Sequence, residues 1–205
     1  MGYFGRMALY GGRFNPVGDH HHRIAEALLR AFERLVVIPC GIYGAKESDN
    51  CPGNEHLLAI AQLGFGDLPG IEFDFSDLKF DKFTRTYDQQ IYYQIMHPRA
   101  EIWHVIGGDL VRGSKTGVSA IQKTWWRGQE IWERLNFAII SHPGCPVASE
   151  DLPPHATLIV LPELYGRSTF IRKRIETNLP ISHLVPKPVA EYIRSNHLYQ
   201  SKGQI

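Results

Sequence analysis

The sequence predicts an α/β fold, a Rossmann-like doubly wound parallel sheet with helices on both faces. Three observations predict it. Short apolar runs of strand length alternate along the chain with segments of helical period. The first run ends in Gly11 and Gly12, at the carboxyl end of the first strand, where such sheets place their ligands. The composition, 43% apolar and 21% charged over 205 residues, suits a globular chain with one sizeable core. We expect a single domain over residues 1–205, with 165–205 as its C-terminal helical part.

The elements follow in order. "MALY" reads as the first strand. Ile24, Leu28, Ala31 and Leu35 recur at helical spacing and predict a helix that begins near residues 19–21. "LVVIP" is a strand that Pro39 ends. "EHLLAIAQLGF" is helical, with Leu57, Ile60, Ala61 and Gly64 on one face. "IEFDF" alternates strictly and predicts a half-buried strand. "YDQQIYYQI" places Tyr87, Ile91 and Ile95 on one helical face, and "EIWHVI" is a strand closed by Gly107, Gly108 and Asp109. "WWRGQEIWERL" reads as a helix and "FAII" as a strand. A loop rich in Pro, Gly and Ser leads to the strand "TLIVL", and helices near 169–178 and 188–196 close the chain.

Composition narrows the partners. Twenty-two Lys and Arg against 21 Asp and Glu give no basic excess, so no nucleic acid is expected. The apolar runs are far shorter than a membrane span, so no membrane is expected either. The N-terminal "MGYFGRMALYGG" lacks a signal-peptide core. Cys40, Cys51 and Cys145 are odd in number and form no C-x-x-C pair, which suits a reducing cytoplasm. The expected partners are small molecules. A homo-oligomer is compatible with the sequence.

"GGRFNPVGDHHHR" carries the chemistry. Gly11 and Gly12 lack a Cβ and let the backbone turn and approach a ligand closely. A helix N-terminus follows, with N–H groups and a partial positive charge that favour phosphate. Histidine in the first turn adds a donor. Adjacent helical residues point about 100° apart, so His20, His21 and His22 cannot all ligate one ion from a regular helix. At the other end of the chain, Ser168 or Thr169 is a good N-cap. Arg172 follows four and three residues later on the same face, while Ile171 and Ile175 share another face and can pack inward. A capped helix N-terminus beside a guanidinium makes a second phosphate cradle.

The first stretch resembles the opening signature of the HxGH nucleotidyltransferase superfamily, most closely that of the nicotinate/nicotinamide mononucleotide adenylyltransferases, roughly G-G-T-F-D-P-x-H-x-G-H-x-R. Gly11, Gly12, Phe14, Pro16, His21 and Arg23 match; Asn15 stands for Asp. The first signature histidine falls on Gly18 and the signature glycine on His20. "GRSTFIR" is similar to the second signature, I-S-S-T-x-I-R, with Arg167 in place of its first Ser. Between them, "IPCGIYGAK" keeps Pro39, Gly41 and Lys46 of I-P-A-G-x-P-P-H-K; Thr86 and Asp88 match S-Y-T-V-D; Asp109 matches I-G-A-D; and Trp125 matches P-T-W-x-x-W.

The resemblance implies transfer of AMP from ATP to nicotinate or nicotinamide mononucleotide, with pyrophosphate released, in NAD biosynthesis. Mg²⁺ would accompany ATP, with no separate protein-bound metal. His21 would donate to the transferred phosphoryl group, with His20 supplying the imidazole that Gly18 lacks. Gly11, Gly12 and Phe14 would form the ATP-binding turn, and Lys46 would contact phosphate. Arg172, Ser168 and Thr169 would hold the pyrophosphate. Trp125 would stack on the pyridine, Thr86 would lie near its substituent, and Asp109 would contact a ribose hydroxyl. The changed signature leaves two alternatives, a nucleotidyltransferase with another phosphorylated acceptor and a non-catalytic nucleotide-binding homologue.

Overall fold

Six strands form one sheet in the order β3-β2-β1-β4-β5-β6: β1 Gly5–Gly12, β2 Arg34–Pro39, β3 Ile71–Phe73, β4 Ala100–Gly107, β5 Asn136–Ser141 and β6 Ala156–Val160. The computed structural model describes residues 5–41 and 51–200. β1 pairs in parallel with β4, β4 with β5, and β5 with β6. This is the doubly wound order that the alternation predicts, and it reverses at β1 and β4. The helices are α1 Asp19–Ala31, α2 Asn54–Phe65, α3 Ser76–Lys79, α4 Thr86–Met96, α5 Ala120–Thr124, α6 Gly128–Arg134, α7 Ser168–Glu176 and α8 Lys187–Ser195. None of them is long and apolar enough to cross a membrane.

The chain folds as two compact units interleaved along the sequence. The first takes in residues up to Gly11, Ala27–Val37 and Thr84–Leu164. The second takes in Gly12–Glu26, Ile38–Phe83 and the residues from Tyr165 onward.

In the first unit, Ile106, Val111, Ile121, Ile131, Phe137 and Ile139 form a buried cluster with Trp132 and Leu135. Full burial of each large side chain stabilises by roughly 1.5–3 kcal/mol. Two elements differ from the expectation, those of Leu35 and of the tryptophan segment. Leu35 lies in β2, not on the helix begun by Ile24, because α1 ends at Ala31. Ile91 and Ile95 do share a helical face in α4; that face is exposed, and Tyr93 is the buried residue. The tryptophan helix is broken. Trp125 is extended at the end of α5, Arg127 takes a left-handed φ of 59°, and α6 starts only at Gly128. A Cβ at Gly128 would collide with the Ile121 carbonyl oxygen, so the two short helices pack backbone against backbone at that point.

His104 of β4 is 4% exposed and donates from Nε2 to Gln90 Oε1 of α4 at 2.9 Å. Burial pushes its pKa down from about 6.5 to about 4. The folded ring stays neutral while the unfolded one takes up a proton below about pH 6.5. Its contribution is therefore complete above pH 6.5 and is lost as pH falls toward 4, about 3 kcal/mol in all. Urea unfolding at pH 7 and pH 4.5 should show a smaller pH dependence for His104→Gln than for the wild type. Equal slopes would mean that the ring is not held neutral by the fold.

In the second unit, α2 packs on α8 and on α3. Leu57, Ile60, Ala61 and Gly64 are buried, as their spacing predicts. A Cβ at Gly64 would meet the Val17 side chain, so α2 lies close against the loop that follows β1. His56 Nδ1 and the Tyr192 hydroxyl, 3.0 Å apart, join α2 to α8. The strand predicted from "IEFDF" is short, ending at Phe73.

Candidate active site

Both signature stretches build one cradle within the second unit. Gly12 is the last residue of β1, and neither it nor Gly11 has a positive φ. The turn comes later, in residues 13–18, and a non-glycine residue bends it. Phe14 sits at φ 46°, a conformation costing a bulky side chain on the order of 1–3 kcal/mol. Burial of its ring holds it there. Phe14 is 2% exposed and meets His21 and Phe65 edge to face at 5.1 and 5.2 Å. Gly12 is needed for room: a Cβ there would lie 2.9 Å from Phe14 Cζ.

The start of α1 differs from an open helix end. Asp19 N–H donates to the Leu184 carbonyl at 2.9 Å, and the N–H groups of His21 and His22 donate to the Gly18 carbonyl. The donors this end offers a ligand are therefore chiefly imidazoles. Gly18 N–H donates to His21 Nδ1 at 3.1 Å, which places the proton of the neutral ring on Nε2. Burial, and then the neighbouring His20, hold the His21 pKa well below its ordinary value. His21 is thus an uncharged donor at neutral pH. The His20 ring lies 3.8 Å from it, centroid to centroid, tilted by 40°. His22 turns to Asp67, with Nε2 at 3.0 Å from Oδ1, and takes no part in this pair.

The second signature closes on the first. Ser168 is the first residue of α7, not its cap, and its hydroxyl donates to the Pro16 carbonyl at 2.9 Å. Arg167 occupies the cap position, and its side chain makes no capping bond. Arg172 donates from Nη1 to the Asn15 carbonyl at 2.6 Å. Thr169 is exposed on the first turn of α7, Ile171 is fully buried, and Ile175 is partly buried. Asn15 is a hub that sequence reading misses. Its Oδ1 accepts the Tyr199 hydroxyl at 2.6 Å, and its Nδ2 and Arg13 Nη2 both donate to Cys51 Sγ, at 3.3 and 3.0 Å. Burial holds the Tyr199 pKa above its ordinary value. Only the change from Asp to Asn at position 15 hints at this neutral network.

Gly11 and the three residues assigned to the mononucleotide belong to the first unit. Thr86 is the first residue of α4 and is partly buried. Asp109 is exposed in the single 3₁₀ turn directly after β4. Trp125 is partly buried against the apolar cluster. Trp126 is about half exposed, with Arg85 and Arg127 each over its ring. Lys46 lies outside the described residues.

A parallel sheet whose first strand runs into a loop of imidazole and guanidinium donors, at the point where strand order reverses, defines a Rossmann-like fold of the nucleotide-binding class. The sequence profile of the cytidylyltransferase-like family matches residues 9–179, and the chain belongs to that family. A probable nicotinate-nucleotide adenylyltransferase of Carboxydothermus hydrogenoformans is 27% identical over 95% of this chain and 98% of its own length. The nicotinate-nucleotide adenylyltransferase of Bacillus subtilis is 22% identical over 96% of this chain and 99% of its own. Nicotinic acid mononucleotide adenylyltransferase of Plasmodium falciparum, solved in complex with NaAD, superposes with a TM-score of 0.76 at 20% identity, over 95% of this chain and 97% of that one. The latter likeness establishes a shared fold.

Proposed function

We propose that the chain transfers AMP from ATP to a pyridine mononucleotide, nicotinate or nicotinamide mononucleotide, in NAD biosynthesis. The acceptor phosphate oxygen forms a bond to the α-phosphorus of ATP, the bond from that phosphorus to the bridging oxygen breaks, and pyrophosphate leaves. One observation carries this reading. His21, with its donor on Nε2, sits in a loop to which Ser168 and Arg172 of the second signature are directly bonded. Phosphoryl transfer depends mainly on positioning and on charge stabilisation, and this loop offers both.

His21 donates to the transferred phosphoryl group. Arg172 balances charge on the leaving pyrophosphate, and the exposed Thr169 adds a hydroxyl. Gly11 and Gly12 bring the backbone of β1 to the nucleotide. Ser168 and Phe14 act on the loop itself, the first by bonding Pro16, the second by its turn and by its contact with His21. These cradle side chains are donors and a cation, with no carboxylate among them. We therefore place Mg²⁺ on the triphosphate of ATP, where it would neutralise phosphate charge. Trp125 would stack on the pyridine, Thr86 would lie by its substituent, and Asp109 would hold a ribose hydroxyl. Lys46 would contact phosphate.

The test is pyrophosphate release from ATP with each acceptor, the product identified by mass. Release with a pyridine mononucleotide supports the reading. Release only with another phosphorylated acceptor, or tight ATP binding without release, overturns it.

A further inference from the structure

Position 18 shows no backbone need for glycine. Gly18 is not among the residues with positive φ, so its conformation is open to any side chain. What a side chain there lacks is room. A Cβ built on Gly18 would lie 2.6 Å from His20 Nδ1 and 2.7 Å from His20 Cε1, with Ile171 Cδ1 at 2.9 Å. Side chains on a helix lean toward its N-terminus. The ring of His20, the second residue of α1, therefore leans back over Gly18 and fills the space that a residue 18 side chain would take. In that place it lies against His21, centroids 3.8 Å apart, beside the loop that Arg172 and Ser168 brace.

We propose that positions 18 and 20 are reciprocally exchanged in this chain: His20 is a catalytic residue that delivers to the ATP phosphates the imidazole otherwise delivered from position 18, and Gly18 is what makes room for it. This rests on the adenylyl-transfer reading above, and it makes a demand that a solvated surface histidine would not. The two positions must be interdependent. A side chain at 18 and the ring at 20 cannot both keep their places, and an imidazole is required at one of the two. Ile171 Cδ1 is the end of a flexible chain and can turn aside, so the exchanged arrangement is sterically open.

The experiment compares wild type, Gly18→His, His20→Gly and the double variant Gly18→His/His20→Gly. Pyrophosphate release, ATP affinity by calorimetry and melting temperature are measured on each. His20→Ala is added so that helix loosening by glycine is not mistaken for loss of the imidazole. Each single variant, His20→Ala included, should lose about 10²-fold in kcat and bind ATP several-fold more weakly. The double variant should recover to within about tenfold of wild type. Wild-type kcat in His20→Ala overturns the proposal. So does a double variant that melts as a folded protein yet is no more active than the worse single. If the wild type turns over neither pyridine mononucleotide, the functional reading fails separately. The exchange is then judged on ATP affinity alone, where recovery in the double variant supports it and no recovery overturns it.

Discussion

Replacing His21 by asparagine is expected to lower kcat for pyrophosphate release by about 10²–10³-fold, with little change in melting temperature. Asparagine separates the two ends of the ring. Its Oδ1 reaches about as far from the backbone as His21 Nδ1 and can accept the Gly18 N–H, a contact of 3.1 Å in the wild type. It has nothing at the position of Nε2, so the donor to phosphate is lost and the loop contact kept. The pH profile adds a second constraint. Burial and His20 hold the wild-type ring neutral through the ordinary histidine range, with the proton already on Nε2. Its share of the rate should stay level as pH rises from about 7 to about 8.5. A charged donor would instead lose rate as pH rose through its pKa. Unchanged kcat in His21→Asn would remove His21 from the reaction.

Phe14→Ala is expected to lower stability by about 3–5 kcal/mol and to reduce activity as well. The ring is buried between His21 and Phe65, and its packing holds a φ of 46° that the backbone disfavours. Truncation leaves a cavity and removes the force that keeps the turn bent. Phe14→Leu restores most of the apolar volume without the ring edge, so it should recover stability more than kcat. Urea unfolding and steady-state kinetics on both variants separate these effects. A Phe14→Ala variant within about 1 kcal/mol of wild type would show that the turn stands without the ring.

Most of the fold is legible because it rests on periods of two and 3.6 residues, which are local. The parallel sheet with helices on its faces follows from alternation, whereas the order of its strands is set by pairing between distant segments. The failures sit where a distant group decides. "WWRGQEIWERL" has helical spacing throughout, yet the Ile121 carbonyl seats itself against Gly128 and the chain turns left-handed at Arg127. Ser168 reads as a cap, but the Pro16 carbonyl, 152 positions away, takes its hydroxyl. The site divides in the same way. His21 and Arg172 stand out by residue type and spacing. Asn15 as a hub and the His20 ring over Gly18 depend on how α1, α7 and residue 199 meet the loop, which no short window of sequence contains.

The bond from the Tyr199 hydroxyl to Asn15 spans 184 positions. A ribosome delivers the chain from its N-terminal side, so the loop of residues 13–18 emerges well before residues 168, 172 and 199, which bond to it. At about 5–20 residues per second, the first signature waits roughly 10–40 s for the hydroxyl that completes its network. ATP therefore meets a finished cradle only after residue 199 has emerged.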